Sequence, residues 1–165
     1  MTLDVFVADE QADEPVDTMR WIRLARDVLK AEGVKGDAEL GVRFVDEEAM
    51  AHLNKHFLGK DGPTDVLAFP MDELRPGKED EEPPQGLLGD IVLCPEVAAK
   101  QGAANGHSMD AELQLLTVHG VLHVLGYDHE DPEEEREMFG LQKRILDDWR
   151  ASRGETGPSP APTTR

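Results

Sequence analysis

Three of the chain's six histidines fall in one short run, His119-Gly-Val-Leu-His123-Val-Leu-Gly126-Tyr-Asp-His129. On a helix, residues four apart lie one above the other on the same face, so His119 and His123 can aim their rings at one point. Gly126 suits the end of such a helix, because a left-handed turn there carries no side-chain penalty. Once the chain turns back, Tyr127-Asp128-His129 can bring a third imidazole to the same place. Three neutral nitrogens at about 2.0–2.1 Å leave a fourth position open for water, the layout of a catalytic rather than a structural zinc site. The reading is one Zn²⁺ per chain, or another first-row transition metal, held by His119, His123 and His129 and acting through a metal-bound water. Asp128 is the nearest carboxylate to accept a proton, and its competing role is to fix the turn by a hydrogen bond. His52, His56 and His107 are scattered and are read as solvent-facing or helix-end residues.

The spacing of the three ligands and the glycine is that of the metzincin peptidases, H-E-x-x-H-x-x-G-x-x-H. In that motif the residue after the first histidine is the glutamate that serves as general base. Here it is Gly120. The ligand geometry is therefore retained while the usual proton acceptor of peptide hydrolysis is missing, which points to hydrolysis of another kind of bond.

At 165 residues, with 39% apolar and 32% charged side chains, the chain suits one domain with one core. No apolar run is long enough to span a bilayer, the N-terminus shows no secretory signal, and the single Cys94 excludes an internal disulfide. A reducing cytoplasm is the expected compartment, and Cys94 is read as a buried thiol. A net charge of −18 argues against a polyanion ligand when taken alone. The acids, however, concentrate in residues 1–17, 72–86 and 130–137, whereas residues 18–61 balance. Within that balanced stretch Arg20, Arg23, Arg26 and Lys30 recur at helical spacing, either as a local basic stripe or, the reading we favour, as a solvated helix face.

These residues must be positioned by secondary structure, and the sequence supplies it. Leu3, Val5 and Val7 alternate as a strand, and residues 15–32 read as a helix with Trp21, Ile22, Leu24, Ala25, Val28 and Leu29 inward and Gly33 as its stop. Leu40, Val42 and Phe44 form a second strand. Asp46 caps a helix running to Phe57, whose inward positions include Met50, Leu53 and Phe57. Thr64–Phe69 is a third strand closed by Pro70, Asp72–Gly86 an acidic, proline-bearing mobile loop, and Leu88–Leu93 a fourth strand. Pro95 opens a helix, Ser108 caps the histidine-bearing one, and Pro132 starts the last, with Met138, Leu141, Ile145, Leu146 and Trp149 inward. Leu113, Leu116, Thr117, Gly120 and Val124 are expected to pack the histidine helix on the sheet. The fold class is α+β: a single domain over residues 1–153, a four-stranded sheet packed by about five helices with a zincin-like metal helix. A disordered tail is expected over residues 154–165.

The histidine run is preceded by Pro63-Thr64-Asp65-Val-Leu-Ala-Phe-Pro70 and by Leu88-Gly89-Asp90-Ile-Val. All three blocks, in this order, closely resemble the YbeY family of bacterial metal-dependent endoribonucleases, over about residues 40–149. The resemblance implies a metal-dependent single-strand endoribonuclease acting in maturation of the 16S ribosomal RNA 3′ end and in ribosome quality control. It also implies zinc on His119, His123 and His129. Ribosomal RNA, the small ribosomal subunit and its assembly factors are the implied partners, with neither membrane nor DNA. Two positions depart from the family pattern. Leu58 stands where the family has an arginine, and Ala68 where it has a serine. An arginine is the natural bidentate partner for a scissile phosphate. Its loss leaves Lys60, with Thr64, as the substrate-binding candidates, and Lys55 as another point charge.

Two other classes remain open on sequence alone. A zinc metallopeptidase or amidohydrolase is favoured by the metzincin spacing and opposed by Gly120. A non-catalytic ribosome-assembly factor with a structural metal is favoured by Leu58.

Overall fold

The computed structural model describes residues 3–34, 37–71, 86–157 and 159–161. The elements run β1 (Leu3–Asp9), α1 (Thr18–Ala31), β2 (Ala38–Phe44), α2 (Glu47–Leu58), β3 (Val66–Pro70), β4 (Gly86–Leu93), α3 (Pro95–Asn105), α4 (Met109–Val124) and α5 (Pro132–Ser152). This is an α+β domain with a four-stranded sheet and five helices. The expected mobile loop lies outside the described residues over 72–85, and Gly86 already belongs to β4.

The sheet order is β1-β2-β4-β3. β1, β2 and β4 run parallel, and β3 joins β4 antiparallel with Val66 opposite Leu93 and Pro70 opposite Gly89. β3 is therefore an edge strand. The even-numbered side chains of β2, with Val5, Ile91 and Leu93, face the main core under α1, α4 and α5. Leu67 and Val92 point to the other face, where they meet Met50 of α2 and Cys94 in a second, smaller core.

The helices begin where the sequence supplies caps. Asp17, Asp46, Ser108 and Asp131 each accept a hydrogen bond from the first turn of α1, α2, α4 and α5, satisfying one of the donors that a helix start leaves free. α4 is the central helix, packed against α1, α3, α5, β3 and β4. It has no polar side. Every residue from Glu112 to Val124 is buried except His119 and His123. An all-round apolar helix needs cover on every face, so the two half-exposed histidines mark the one gap in that cover.

Arg20 is not part of a free basic stripe. Its guanidinium binds both oxygens of Asp110 at 2.8 Å and Glu155 at 2.7 Å, and lies 5.2 Å from the Trp21 ring and 4.8 Å from the Trp149 ring. Arg26 is turned to the Leu3 carbonyl at 3.3 Å. The expected tail also has anchors. Glu155 accepts from Arg20, Arg150 donates to the Thr156 carbonyl at 2.8 Å, and Ser159 bonds to Asp147. Guanidinium donors left over after Arg20 has met Asp110 and Arg150 has met Gln114 draw in a segment whose composition offers little apolar surface to bury. No helix among the described residues is long and apolar enough to cross a membrane.

Candidate metal centre

α4 ends as the histidine spacing requires. Gly126 takes φ 101°, its N–H reaches the His123 carbonyl at 3.0 Å, and the Tyr127 N–H reaches the Leu122 carbonyl at 3.0 Å. A side chain at Gly126 would be strained in that conformation. Two further contacts hold the returning turn. Asp128 accepts the His129 backbone N–H at 2.7 Å, and Tyr127 is hydrogen-bonded to Glu32 at the end of α1. Burial, then that carboxylate, raises the Tyr127 phenol above its ordinary range.

The three imidazoles converge. One nitrogen from each of His119, His123 and His129 lies within 4.8 Å of the others, and the ring centroids are 4.5, 5.3 and 5.2 Å apart. His119 Nε2 and His123 Nε2 are 3.1 Å apart. Two ligands of a tetrahedral ion with bonds of about 2.0–2.1 Å stand roughly 3.3 Å apart, so this spacing fits.

The hydrogen bonds of the other ring nitrogens fit as well. His119 Nδ1 lies 3.1 Å from Gln142 Oε1 and must donate to it, because a carbonyl oxygen only accepts. The His123 ring is hydrogen-bonded to the Tyr127 backbone. With Nδ1 of His119 protonated, its Nε2 carries a lone pair directed at His123 Nε2, 3.1 Å away, where a metal ion can be held between the two rings.

Electrostatics favour the neutral form of His119 and His123. Burial first, and the neighbouring His123 second, push His119 down to about 4. Burial and then His129 lower His123. Ligand nitrogens must be unprotonated to bind metal, and the His119 ring stays so well below neutrality. One consequence is measurable in chelated protein. The unfolded chain gains a proton on His119 near the ordinary 6.5, whereas the fold resists it down to about 4. The histidine's contribution is thus intact above pH 6.5 and declines as pH falls through that window. Thermal melts between pH 7 and 4.5 should show a larger loss in chelated wild type than in His119→Asn; equal losses would contradict the burial of a neutral ring.

Gln142 had no part in the sequence reading. It lies on α5, 2% exposed, in the same helical register as Met138, Ile145 and Trp149. A polar side chain inside that apolar register is the signal that could have found it. Groups that orient a metal-binding histidine typically tune affinity by 10–100-fold. Gln142→Leu, of similar volume, should weaken metal binding by roughly that factor in a competition titration with a chromophoric chelator. Unchanged affinity would mean that His119 needs no orienting acceptor.

The histidines open into a cavity of about 680 Å³ whose wall also includes Lys60, Thr64, Asp128 and the whole of β3. The sequence-derived candidates therefore share one space, in different roles. Lys60 has no ion pair among the described residues, whereas Lys55 is paired with Asp61 at 3.1 Å. Thr64 donates to Asp65 Oδ1 at 3.2 Å, and the same oxygen accepts the Val66 N–H at 2.8 Å. Thr64 therefore has a bond that fixes the start of β3. Leu58 is 54% exposed on the same wall.

Two expectations are corrected here. Phe57, placed inward by its spacing, is 55% exposed, and Asn54 is the buried residue of that turn. Asn54 donates to the Gly62 carbonyl at 2.9 Å and so ties the end of α2 to the loop carrying Lys60. His107 is not a free surface residue either, for it pairs with buried Glu112 at the start of α4.

At Gly120, α4 comes closest to the sheet. A Cβ there would lie 3.1 Å from Ile91 Cγ2 and 3.3 Å from Val66 Cγ2. The position that carries the base in metzincins is here filled by the strand side chains themselves.

Comparison with known proteins agrees with this geometry. Residues 6–150 match the family model described as Endoribonuclease YbeY. A protein of that name from Streptomyces coelicolor is 58% identical, over 99% of each chain. One from Thermobifida fusca is 52% identical, over 91% of this chain and 96% of its own. The solution structure of a Thermotoga maritima protein superposes with a TM-score of 0.59 at 28% identity, covering 99% of this chain and 100% of that one.

Proposed function

This chain belongs to the endoribonuclease YbeY family, and from that premise we propose that it cleaves single-stranded RNA by metal-assisted hydrolysis at His119, His123 and His129. The substrate is ribosomal RNA near the 3′ end of the 16S species, with the small subunit and its assembly factors as partners. The observation that carries this reading is the approach of His119 Nε2 and His123 Nε2 to 3.1 Å, with a third imidazole beside them, in a cavity open to solvent.

A divalent metal such as zinc, held by the three imidazoles, would supply Lewis acidity toward a phosphoryl oxygen and activate water for attack. The chain's own groups do the rest. Gln142 fixes the tautomer of His119, and the Tyr127 backbone holds the His123 ring. Lys60, unpaired on the cavity wall, provides a point charge for a backbone phosphate. Asp128 spends one oxygen on the His129 N–H and lines the same cavity, where its carboxylate is the proton acceptor of this proposal. Thr64 contributes through β3, holding the edge strand that walls the cavity. The burial of Gly120 favours a phosphodiesterase over a peptidase.

The test is cleavage of a 3′-terminal ribosomal RNA fragment, offered single-stranded and annealed to a complement, beside a casein panel. Cleavage of the single strand alone supports the proposal; cleavage of casein alone would overturn it.

Leu58 gives a second check. It is exposed on the cavity wall rather than tucked beneath its own loop, so Leu58→Arg puts a guanidinium where a phosphate can pass without displacing core. A charge-assisted contact of about 1.5 kcal/mol corresponds to roughly tenfold tighter RNA binding at low salt. Binding measured at two salt concentrations should show this gain and a steeper salt dependence. An unchanged affinity and slope would place the RNA backbone on another side of the cavity.

A further inference from the structure

We propose that Phe57 is a stacking platform for one unpaired nucleobase of the RNA, and that this contact delivers the adjoining phosphate to the histidine cluster; the inference rests on the endoribonuclease reading of the same cavity. Phe57 stands in the last turn of α2, 55% exposed, next to Leu58 at 54%. Two adjacent large apolar residues in solvent do nothing for the core. The Phe57 ring is nevertheless held in place. His56 meets it at 4.7 Å and 88°, and Phe69 of β3 at 5.0 Å and 62°. Both are edge-type arrangements, so no aromatic neighbour among the described residues lies parallel on the ring. Phe57, Phe69 and the three histidines line one continuous wall, which puts a fixed, unstacked aromatic surface and the reaction centre in the same cavity.

Charge favours a nucleobase as the occupant. The chain carries −18 overall, Lys60 is the one lysine or arginine among the residues lining the cavity, and nearby Lys55 is already paired with Asp61. A polyanion cannot be held here by phosphate contacts alone, which elsewhere supply most of the affinity and its salt dependence. Stacking on an aromatic side chain is independent of charge and tolerant of sequence. It also accepts only a base that has left its duplex, so the platform selects unpaired RNA. The competing occupant is an extended peptide, because β3 pairs on one side only and an open strand edge can take another strand.

The test uses the full chain, in chelator so that nothing is cut, with short single-stranded RNAs carrying 2-aminopurine or an abasic ribose at each position in turn. Stacking on Phe57 should quench the 2-aminopurine at one position. Phe57→Ala should abolish that quench and weaken binding by roughly 5- to 150-fold, with melting temperature and metal content unchanged. Phe57→Trp should retain or tighten binding. The loss should vanish for the RNA made abasic at the stacked position, because the interaction is then absent from both arms of the cycle. Equal losses for intact and abasic RNA, or none at all, overturn the platform while leaving RNA cleavage by the wild type standing. If Phe57→Ala instead weakens binding of an apolar peptide and spares RNA, the surface takes peptide and the platform is likewise overturned. A wild type that neither binds nor cleaves RNA would overturn the endoribonuclease reading itself.

Discussion

His123→Ala should yield a folded protein that retains no metal after dialysis and cleaves RNA at least about a thousandfold more slowly. The imidazole is half-buried at the end of α4 and contributes to the cluster rather than to the core. Its removal leaves His119 and His129, and two monodentate ligands do not close a site that needs three protein nitrogens. Lewis-acid stabilisation of a phosphoryl transition state amounts to several kcal/mol, from which the thousandfold floor follows. Melting of the variant should match that of chelated wild type, since each lacks the same ion. Full occupancy by one equivalent of zinc would show that the ion is held by other residues.

The second large effect concerns the residue that separates this chain from the peptidases. Gly120→Glu recreates the metzincin motif in sequence, and it should produce a destabilised protein with no peptidase activity. A Cβ at this position already meets Ile91 and Val66 at 3.1 and 3.3 Å, so even alanine requires those side chains to yield by a few tenths of an ångström. Glutamate adds four more heavy atoms and a charge between a helix and a sheet. Overpacking together with a buried unpaired carboxylate costs about 3 kcal/mol or more. Thermal melting with a casein assay decides the matter. Gly120 also borders the cavity, so a variant as stable as wild type that hydrolyses casein would show that the carboxylate turns into the cavity rather than against the strands.

The parts of this protein that were legible in its sequence are those written in local patterns. The spacing of His119, His123 and His129 around Gly126 is a statement about one helix end, and the helix ends that way. Strands and helices followed from alternation, caps and prolines for the same reason. The sheet order was not legible, since parallel pairing of β1, β2 and β4 joins segments far apart in the chain. Gln142 was missed because its partner lies 23 residues away, and only its intrusion into an apolar register hints at a role. Phe57 has the spacing of a buried residue, but α2 outlasts the sheet it covers, so its last turn faces the cavity. Arg20 reads from sequence as part of a solvated helix face because its partners Asp110 and Glu155 come from other elements. The same holds for Glu155 itself, whose surroundings of Pro, Gly, Ser and Thr suggest a tail without attachments.

The most direct measurement is a titration of chelated protein with zinc in the presence of single-stranded ribosomal RNA, following bound metal and cleavage in the same samples. Cleavage should be absent without metal, rise in proportion to the ion bound and level off at one equivalent per chain. Undiminished cleavage by the metal-free protein, or full metal occupancy with no cleavage, would contradict a hydrolytic centre built on His119, His123 and His129.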